Sequence, residues 1–157
     1  MNKKIPYGLH KLDDNDIQAV VDILKKGIIT QGQTVEDFGQ ALADYADAKY
    51  GVAVSNGTAA LHVSVAALGI GSGDEVITTP ITFCATSNAA LYQGADVKFV
   101  DIDENTLNID SNLIEAKITK RTKAIMPVDF RGHPANLPEI RQISDRHNLK
   151  IIEDGSH

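Results

Sequence analysis

Residues 75–100 read EVITTPITFCATSNAALYQGADVKFV, with a short apolar run at each end and a helical stretch between them. The two runs are residues 75–78 and 97–100, and the helical stretch is residues 83–92, closed by Gly94. Short β-branched runs are typical of strands that are buried on both faces. A helix that joins two such strands predicts parallel pairing in a β-α-β unit. This stretch therefore predicts an α/β fold.

The same alternation continues on both sides of this unit. Further apolar runs predict buried strands at residues 52–54, 124–126 and 150–152. Further helical stretches lie at residues 58–68, 113–118 and 137–147. The last of these helices is predicted to begin with a capping box formed by Asn136 and Glu139. We predict one domain with a mostly parallel sheet flanked by helices.

Two amphipathic helices are predicted ahead of the sheet. Apolar residues recur at helical spacing after Asp13 and Asp14, and again after Thr34. The first set is Ile17, Val20, Val21 and Leu24. The second set is Val35, Phe38, Leu42 and Tyr45.

The composition excludes several classes of partner. The chain has 157 residues, of which 43% are hydrophobic, which is enough to bury a core. The formal net charge of −6 disfavours binding to nucleic acid or to an anionic membrane. The sequence shows no apolar run of about 18 residues and no leader peptide, and its one cysteine, Cys84, cannot form an internal disulfide. We expect a cytoplasmic protein with a small-molecule ligand and no metal site.

Residues 55–61 turn from a predicted strand through Gly57 directly into a helix. Ligands of parallel α/β sheets bind beyond the carboxyl ends of the strands, where such turns lie. The free N–H groups and the positive dipole at the start of the helix, together with the Thr58 hydroxyl, suit a phosphate group. The alternative is an ordinary strand-to-helix turn with an Asn or Ser cap.

Two loops that follow predicted strands carry weaker signals. Phe83 stands at a helix start, where its ring can lie over a flat ligand ring, although an aromatic residue is also common in a core. Residues 131–134 follow another strand, and they form either a substrate-side loop or an exposed turn.

Polar side chains also follow the last predicted strand. Asp154 and His157 place a carboxylate and an imidazole directly past its end. The carboxylate can hold a protonated ring nitrogen, and the imidazole can bond to a neighbouring oxygen. The alternatives are solvated polar groups or a cloning remnant at residues 155–157.

Taken together, these segments resemble the sugar aminotransferases of the DegT/DnrJ/EryC1/StrS family over nearly the whole chain. Several ordered motifs carry the resemblance, and together they are more specific than any one of them. The motifs lie at residues 28–32, 56–61, 73–77, 82–83, 100–102 and 153–157. The sequence is most similar in character to the members that are UDP-4-amino-4,6-dideoxy-N-acetyl-altrosamine transaminases.

The resemblance implies a fold type I transferase that binds pyridoxal 5′-phosphate. Residues 1–157 would be the amino-terminal part of its large, cofactor-binding domain, with residues 1–50 as leading helices. Phe83 would stack on the pyridine ring, Asp154 would pair with the ring nitrogen, and His157 would lie near the phenolic oxygen. The cofactor phosphate would be bound by Gly57, Thr58 and Ala59. The sugar-nucleotide or partner-subunit side would be formed by Thr30, Gln31 and Gly32.

The reaction implied is amino transfer, with glutamate as the donor, to a nucleotide-linked 4-keto-6-deoxy sugar of surface-polysaccharide or glycan biosynthesis. It requires a Schiff-base lysine, which the family carries after the Glu-Asp-x-x-His motif. No lysine follows Asp154 in this sequence, so no catalytic residue is assigned, and neither Lys123 nor Lys150 is proposed for the role. The resemblance also implies a homodimer. We expect no turnover from this chain alone, because the remainder of the enzyme would be absent.

Three other functions stay open from the sequence. A related sugar dehydratase that depends on pyridoxal phosphate has a histidine in place of the lysine, at a position that this sequence does not reach. A non-catalytic module could bind pyridoxal phosphate or a sugar nucleotide, or pair with a separately encoded second half. A nicotinamide-dependent oxidoreductase fits the β-α-β pattern, but the Gly-rich turn after the first strand and the acidic residue after the second are missing.

Overall fold

The structure is a computed structural model that describes residues 9–26 and 29–157. Residues 1–8 of the predicted leading segment, residues 1–50, and residue 28 of the motif at residues 28–32 lie outside the described residues. The chain divides into two units, Met1–Ala53 and Val54–His157. Among the described residues, no helix has the length and apolarity that crossing a membrane requires.

In its described residues the first unit contains two helices, as the apolar spacing predicts. Helix α1 spans Asp14–Lys25, and helix α2 spans Gln33–Tyr45. A capping box formed by the Asp13 and Asp16 side chains begins α1. Gly39 of α2 lies so close to Gly51 that a Cβ atom at either position would collide with the backbone of the other. This close approach therefore requires glycine at both positions.

A parallel sheet forms the centre of the second unit. Its four strands are β1, Glu75–Thr78; β2, Asp96–Phe99; β3, Thr122–Ile125; and β4, Lys150–Ile151. Their order across the sheet is β2-β1-β3-β4, and every pairing is parallel. All four carboxyl ends therefore lie at one edge, and the predicted parallel sheet is confirmed.

Helices cover both faces of this sheet. They are α3, Gly57–Ala67; α4, Ala85–Tyr92; and α5, Leu137–His147. Neighbouring residues of a strand point to opposite faces, and Val76 and Ile77 of β1 accordingly belong to two different apolar clusters. The Val76 cluster includes Val65 of α3 and Ala89 of α4, whereas the Ile77 cluster includes Ile140 of α5. The prediction of helices flanking the sheet is confirmed.

Three local predictions are wrong. Residues 52–54 form no strand, because they have no ladder partner among the described residues. Residues 113–118 lie mostly in two 3-10 turns, Ser111–Leu113 and Glu115–Lys117, rather than in one α-helix. Strand β2 is only partly buried, because it forms an edge of the sheet.

The capping box predicted at Asn136 is also wrong. The Asn136 amide donates to Glu139 Oε2 at 2.8 Å, and the same oxygen accepts the Ser111 hydroxyl at 2.6 Å. Because these contacts occupy the side chains, Asn136 makes no side-chain cap to the first N–H groups of α5.

A charged network lies at the amino edge of the sheet, opposite the carboxyl ends of the strands. Glu75 is 1% exposed and forms ion pairs with Arg121 and Lys98. Its Oε2 atom accepts the Thr119 hydroxyl at 2.6 Å. This hydrogen bond, together with Arg121 and Lys98, lowers the pKa of Glu75 although burial opposes the shift. The buried carboxylate is therefore held in its charged form.

Candidate functional site

A cavity of about 280 Å³ lies at the carboxyl edge of the sheet. We call it the site cavity. It is formed by the starts of α3 and α4 and by the segment that follows β4. Its lining residues are Gly57, Thr58, Leu61, Thr82, Phe83, Ala85, Asp154, Ser156 and His157. The parallel sheet and the packing of α3 and α4 against it thus bring together three segments that are far apart in the sequence.

The start of α3 offers two backbone donors to this cavity. The Asn56 side chain caps the helix by accepting the Ala59 N–H group at 2.9 Å. The Gly57 and Thr58 N–H groups have no acceptor among the described residues. Asn56 is therefore a cap, as the simpler interpretation holds, and it still leaves two N–H groups and the helix dipole for an anion. The Ala59 N–H group is not available, because the cap uses it.

Asp154 places a buried carboxylate at the same cavity. It is 4% exposed, and its backbone is fixed in a parallel bridge with Val128. Its Oδ1 atom accepts the Ser156 hydroxyl at 2.6 Å and the Ser156 N–H group at 3.2 Å. Its Oδ2 atom accepts the Thr86 hydroxyl at 2.7 Å. The carboxylate is thus oriented by hydrogen bonds on both oxygens.

The ring of Phe83 lies at the rim of the site cavity rather than in a core. Its side chain is 65% exposed and lies just ahead of α4. An exposed ring beside a cavity can cover one face of a flat ligand. The alternative that Phe83 is a core residue is therefore wrong.

His157 is held by the turn at Phe130–Gly132. Its Nδ1 atom accepts the Arg131 N–H group at 3.2 Å, and its ring centroid lies 5.5 Å from that of Phe130. Since Nδ1 accepts a hydrogen bond, a neutral His157 carries its proton on Nε2. Arg131 makes this contact from a left-handed conformation, with φ 58°. The loop at residues 131–134 therefore supports the site cavity through its backbone.

Glu153 lies beside Asp154 but does not line the site cavity. Partial desolvation raises the pKa of its carboxyl group, and the neighbouring Asp129 adds to the increase.

Thr30, Gln31 and Gly32 belong to the first unit, where they line another cavity of about 380 Å³. Residues at the end of α1 and the start of α2 complete that cavity, with Ile23, Lys26 and Val35 among them. Gly32 precedes α2 with φ 143°, a conformation that favours glycine. The sequence-predicted substrate residues thus share one cavity with each other.

Sequence reasoning assigned no role to Thr82 and Ser156, which line the site cavity, or to the buried Thr86, which bonds to Asp154. Ser156 stands two residues after Asp154, a spacing at which Asp side chains commonly bond to the backbone N–H group. That spacing could have identified Ser156. Thr86 gave no such signal, because its acceptor, Asp154, is 68 residues away in the sequence.

Comparison with known proteins gives one consistent family. The model of the DegT/DnrJ/EryC1/StrS aminotransferase family matches residues 10–157. The chain is 43% identical over 156 residues to the spore coat polysaccharide biosynthesis protein SpsC of Bacillus subtilis, covering 99% of this chain and 40% of that protein. It is 40% identical over 154 residues to GDP-perosamine synthase of Caulobacter vibrioides, covering 98% of this chain and 42% of that protein.

Solved structures agree with these relatives. Helicobacter pylori PseC, an aminotransferase involved in the biosynthesis of pseudoaminic acid, matches with a TM-score of 0.91 and 33% identity, over 99% of this chain and 42% of that chain. NtdA from Bacillus subtilis, with bound cofactor PMP, matches with a TM-score of 0.84 and 40% identity, over 88% of this chain and 32% of that chain. The chain spans about two fifths of the length of the curated relatives described above.

Proposed function

The chain belongs to the DegT/DnrJ/EryC1/StrS aminotransferase family, and from this we propose that the site cavity binds pyridoxal 5′-phosphate for amino transfer to a nucleotide-linked 4-keto-6-deoxy sugar. One observation carries the proposal: the buried Asp154 carboxylate lines the same cavity as the donors of Gly57 and Thr58. A ligand that has both an anionic phosphate and a protonated nitrogen matches these two features.

The residues of the site cavity fit this cofactor. Gly57 and Thr58 offer N–H groups at a helix start to the phosphate, and no side chain at Gly57 blocks the approach. Phe83 offers an exposed ring face for stacking. Asp154 offers a carboxylate oxygen to the ring nitrogen, and His157 can donate from Nε2 to the phenolic oxygen. Ala59 would contribute through the shape of the turn, because its N–H group is used by the cap.

When bound, pyridoxal phosphate supplies an electron sink for reactions at the carbon that carries the amino group. The role of Asp154 is to keep the ring nitrogen protonated, which maintains that property. Phe83 shields one face of the ring from water, and the start of α3 fixes the phosphate. His157 would hold the phenolic oxygen.

The proton-transferring lysine of the family has no counterpart at this cavity. No lysine is among its lining residues in the described part of the chain. Lys123 instead forms an ion pair with Asp74, 3.8 Å away near the amino edge of the sheet. A second candidate function is binding of the cofactor or a sugar nucleotide without turnover.

The names of the relatives support a sugar substrate. SpsC is a polysaccharide biosynthesis protein, and a second relative is a GDP-perosamine synthase. We therefore propose surface-polysaccharide or glycan biosynthesis as the process, with glutamate as amino donor. Thr30, Gln31 and Gly32 are the proposed residues of the sugar-nucleotide side. A cytoplasmic homodimer is the proposed assembly, supported by large exposed apolar residues such as Leu91 and Tyr92.

Titration of the purified chain with pyridoxamine 5′-phosphate, followed by ligand fluorescence, tests cofactor binding. Saturable binding is expected, and Asp154→Ala should weaken it by about tenfold or more, because a charge-assisted hydrogen bond is lost. Asp145→Ala is the control, since Asp145 is an exposed carboxylate of α5 outside the site cavity. Equal affinities for the wild type and Asp154→Ala would contradict the proposal.

A second assay tests turnover. With glutamate and a UDP-linked 4-keto-6-deoxy-N-acetylhexosamine, no steady amino transfer is expected from the 157-residue chain. Steady transfer would show that another residue of this chain performs the role of the family's lysine.

A further inference from the structure

The two oxygens of Asp154 are not equivalent. Oδ1 accepts two hydrogen bonds, both from Ser156, whereas Oδ2 accepts one, from Thr86. Each carboxylate oxygen has two lone pairs in its plane. Oδ1 is therefore saturated, and Oδ2 is the oxygen with a lone pair left for a donor in the site cavity.

The single proton of the Thr86 hydroxyl has two possible acceptors. Thr86 Oγ1 lies 2.7 Å from Asp154 Oδ2 and 3.1 Å from the Phe83 carbonyl oxygen. A charged acceptor forms the shorter and stronger bond, so the proton points to Asp154. Thr86 Oγ1 can then accept from the Thr82 hydroxyl, which lies 2.8 Å away. Thr82 thus donates to Thr86, and Thr86 donates to the Asp154 carboxylate, so both bonds run in one direction and the first strengthens the second.

This arrangement connects two separate elements. Thr86 is on the first turn of α4 and is 1% exposed, whereas Asp154 follows β4. A buried hydroxyl that donates to a buried carboxylate fixes the carboxylate plane, because rotation would break the bond without water to replace it.

We propose that Thr86 and Ser156 are positioning residues that fix the Asp154 carboxylate, so that Oδ2 faces the protonated ring nitrogen of the cofactor; this inference rests on the proposed function. Ser156 saturates Oδ1 and prevents the carboxylate from turning the other oxygen to the ligand. Thr86 stabilises the ionised carboxylate, which is the form that pairs with a pyridinium nitrogen. Neither residue needs to touch the ligand.

The test compares two probes: pyridoxamine 5′-phosphate and its deaza analogue, in which a C–H group replaces the ring nitrogen. Thr86→Val removes the hydroxyl at nearly constant volume, and it should weaken binding of pyridoxamine 5′-phosphate by about three- to tenfold. It should change the affinity for the deaza analogue less than about twofold, because that probe makes no bond to Asp154. Thr86→Ser keeps the hydroxyl and should restore the affinity.

Thr78→Val is the matched control. Thr78 is a buried threonine whose hydroxyl donates to the Met126 carbonyl oxygen at 2.8 Å, outside the site cavity. Its loss should affect both probes equally. If Thr86→Val does not fold, Ser156→Ala carries the test, since Ser156 is exposed and its removal also frees Oδ1.

Nitrogen NMR of ring-labelled pyridoxamine 5′-phosphate gives an independent readout. The bound wild type should show a protonated ring nitrogen, and Thr86→Val should shift its resonance toward the unprotonated form. Equal losses for both probes, or no loss for either, would overturn the positioning role while leaving cofactor binding intact. If the wild type binds neither probe, the proposed function fails and this inference fails with it.

Discussion

The Oγ atom of Ser156 lies 3.0 Å from the position that a Cβ atom would take at Gly57. The same hydroxyl donates to Asp154 Oδ1 at 2.6 Å. The turn proposed to hold the phosphate and the carboxylate proposed to hold the ring nitrogen therefore meet at one small side chain. A substitution at Gly57 or at Ser156 should therefore affect both the turn and the carboxylate.

Gly57→Ala tests this connection. The added methyl group would displace Ser156 and weaken its bond to Asp154, so affinity for pyridoxamine 5′-phosphate should fall about tenfold. The free energy of unfolding should change by less than about 1 kcal/mol, because alanine suits a helix better than glycine. Calorimetric titration and urea unfolding measure the two effects. In a Ser156→Ala background the added methyl group should cost less affinity, and an unchanged loss there would contradict the coupling.

Asn56→Asp separates helix capping from phosphate binding. Aspartate caps as well as asparagine, so the free energy of unfolding should stay within about 0.5 kcal/mol of the wild type. Its negative charge lies beside the proposed phosphate position, and affinity for pyridoxamine 5′-phosphate should fall about fivefold, less at high salt. Asn56→Ser is the neutral capping control. Equal affinities for the two variants would place the phosphate elsewhere.

Phe83→Ala should lower cofactor affinity without lowering stability. Because Phe83 is exposed, the free energy of unfolding should change by less than about 0.5 kcal/mol. Loss of ring stacking should weaken pyridoxamine 5′-phosphate about three- to tenfold and leave competition by inorganic phosphate unchanged. Phe99→Ala is a matched control, since Phe99 is 48% exposed and does not line the site cavity. A similar loss of affinity in this control would argue against stacking by Phe83.

The Glu75 network should make stability depend on pH. The pKa of Glu75 is lowered from its ordinary value of 4.5, chiefly by the Thr119 hydroxyl. A lowered folded pKa contributes stability that is fully present above pH 4.5 and is lost as the pH falls through the folded pKa. Thr119→Val should raise that folded pKa toward 4.5, so less stability should be lost on acidification, and the loss should be complete at higher pH than in the wild type.

Thermal unfolding followed between about pH 3 and pH 7 measures this effect. The control is Thr119→Val in a Glu75→Gln background, where no carboxyl group titrates at this position. In that background, Thr119→Val should no longer change how stability falls at acid pH. If such a change persists, another group is responsible.

The sheet could be predicted because the amino-acid composition of its strands is typical of buried strands. Strands of a parallel sheet are commonly short apolar runs rich in β-branched residues, and all four strands of the second unit overlap such runs. Residues 52–54 have the same composition but form no strand, because a strand also requires a neighbour to pair with. Composition therefore identifies candidate strands, and the pairing decides among them.

The candidate site could be predicted in part. Gly57, Phe83 and Asp154 were found because each follows a predicted strand, and the structure brings them to one cavity although the run ahead of Gly57 forms no strand. The role of the Ala59 N–H group could not be read from the sequence, since the rotamer of Asn56 decides it. The role of Thr86 could not be predicted either. Its hydroxyl bonds to Asp154, and only the fold brings these two residues together.

The hydrogen bond between Thr86 and Asp154 spans 68 residues of the chain. Contacts of such large sequence separation form late, because the intervening loop must be closed first, and they slow folding. During synthesis, α3 and α4 leave the ribosome well before the segment after β4 exists. The newly made protein must therefore pass through a period in which the turn proposed to hold the phosphate is present and the Asp154 carboxylate is not. The proposed cofactor site can be completed only after nearly the whole second unit has been made.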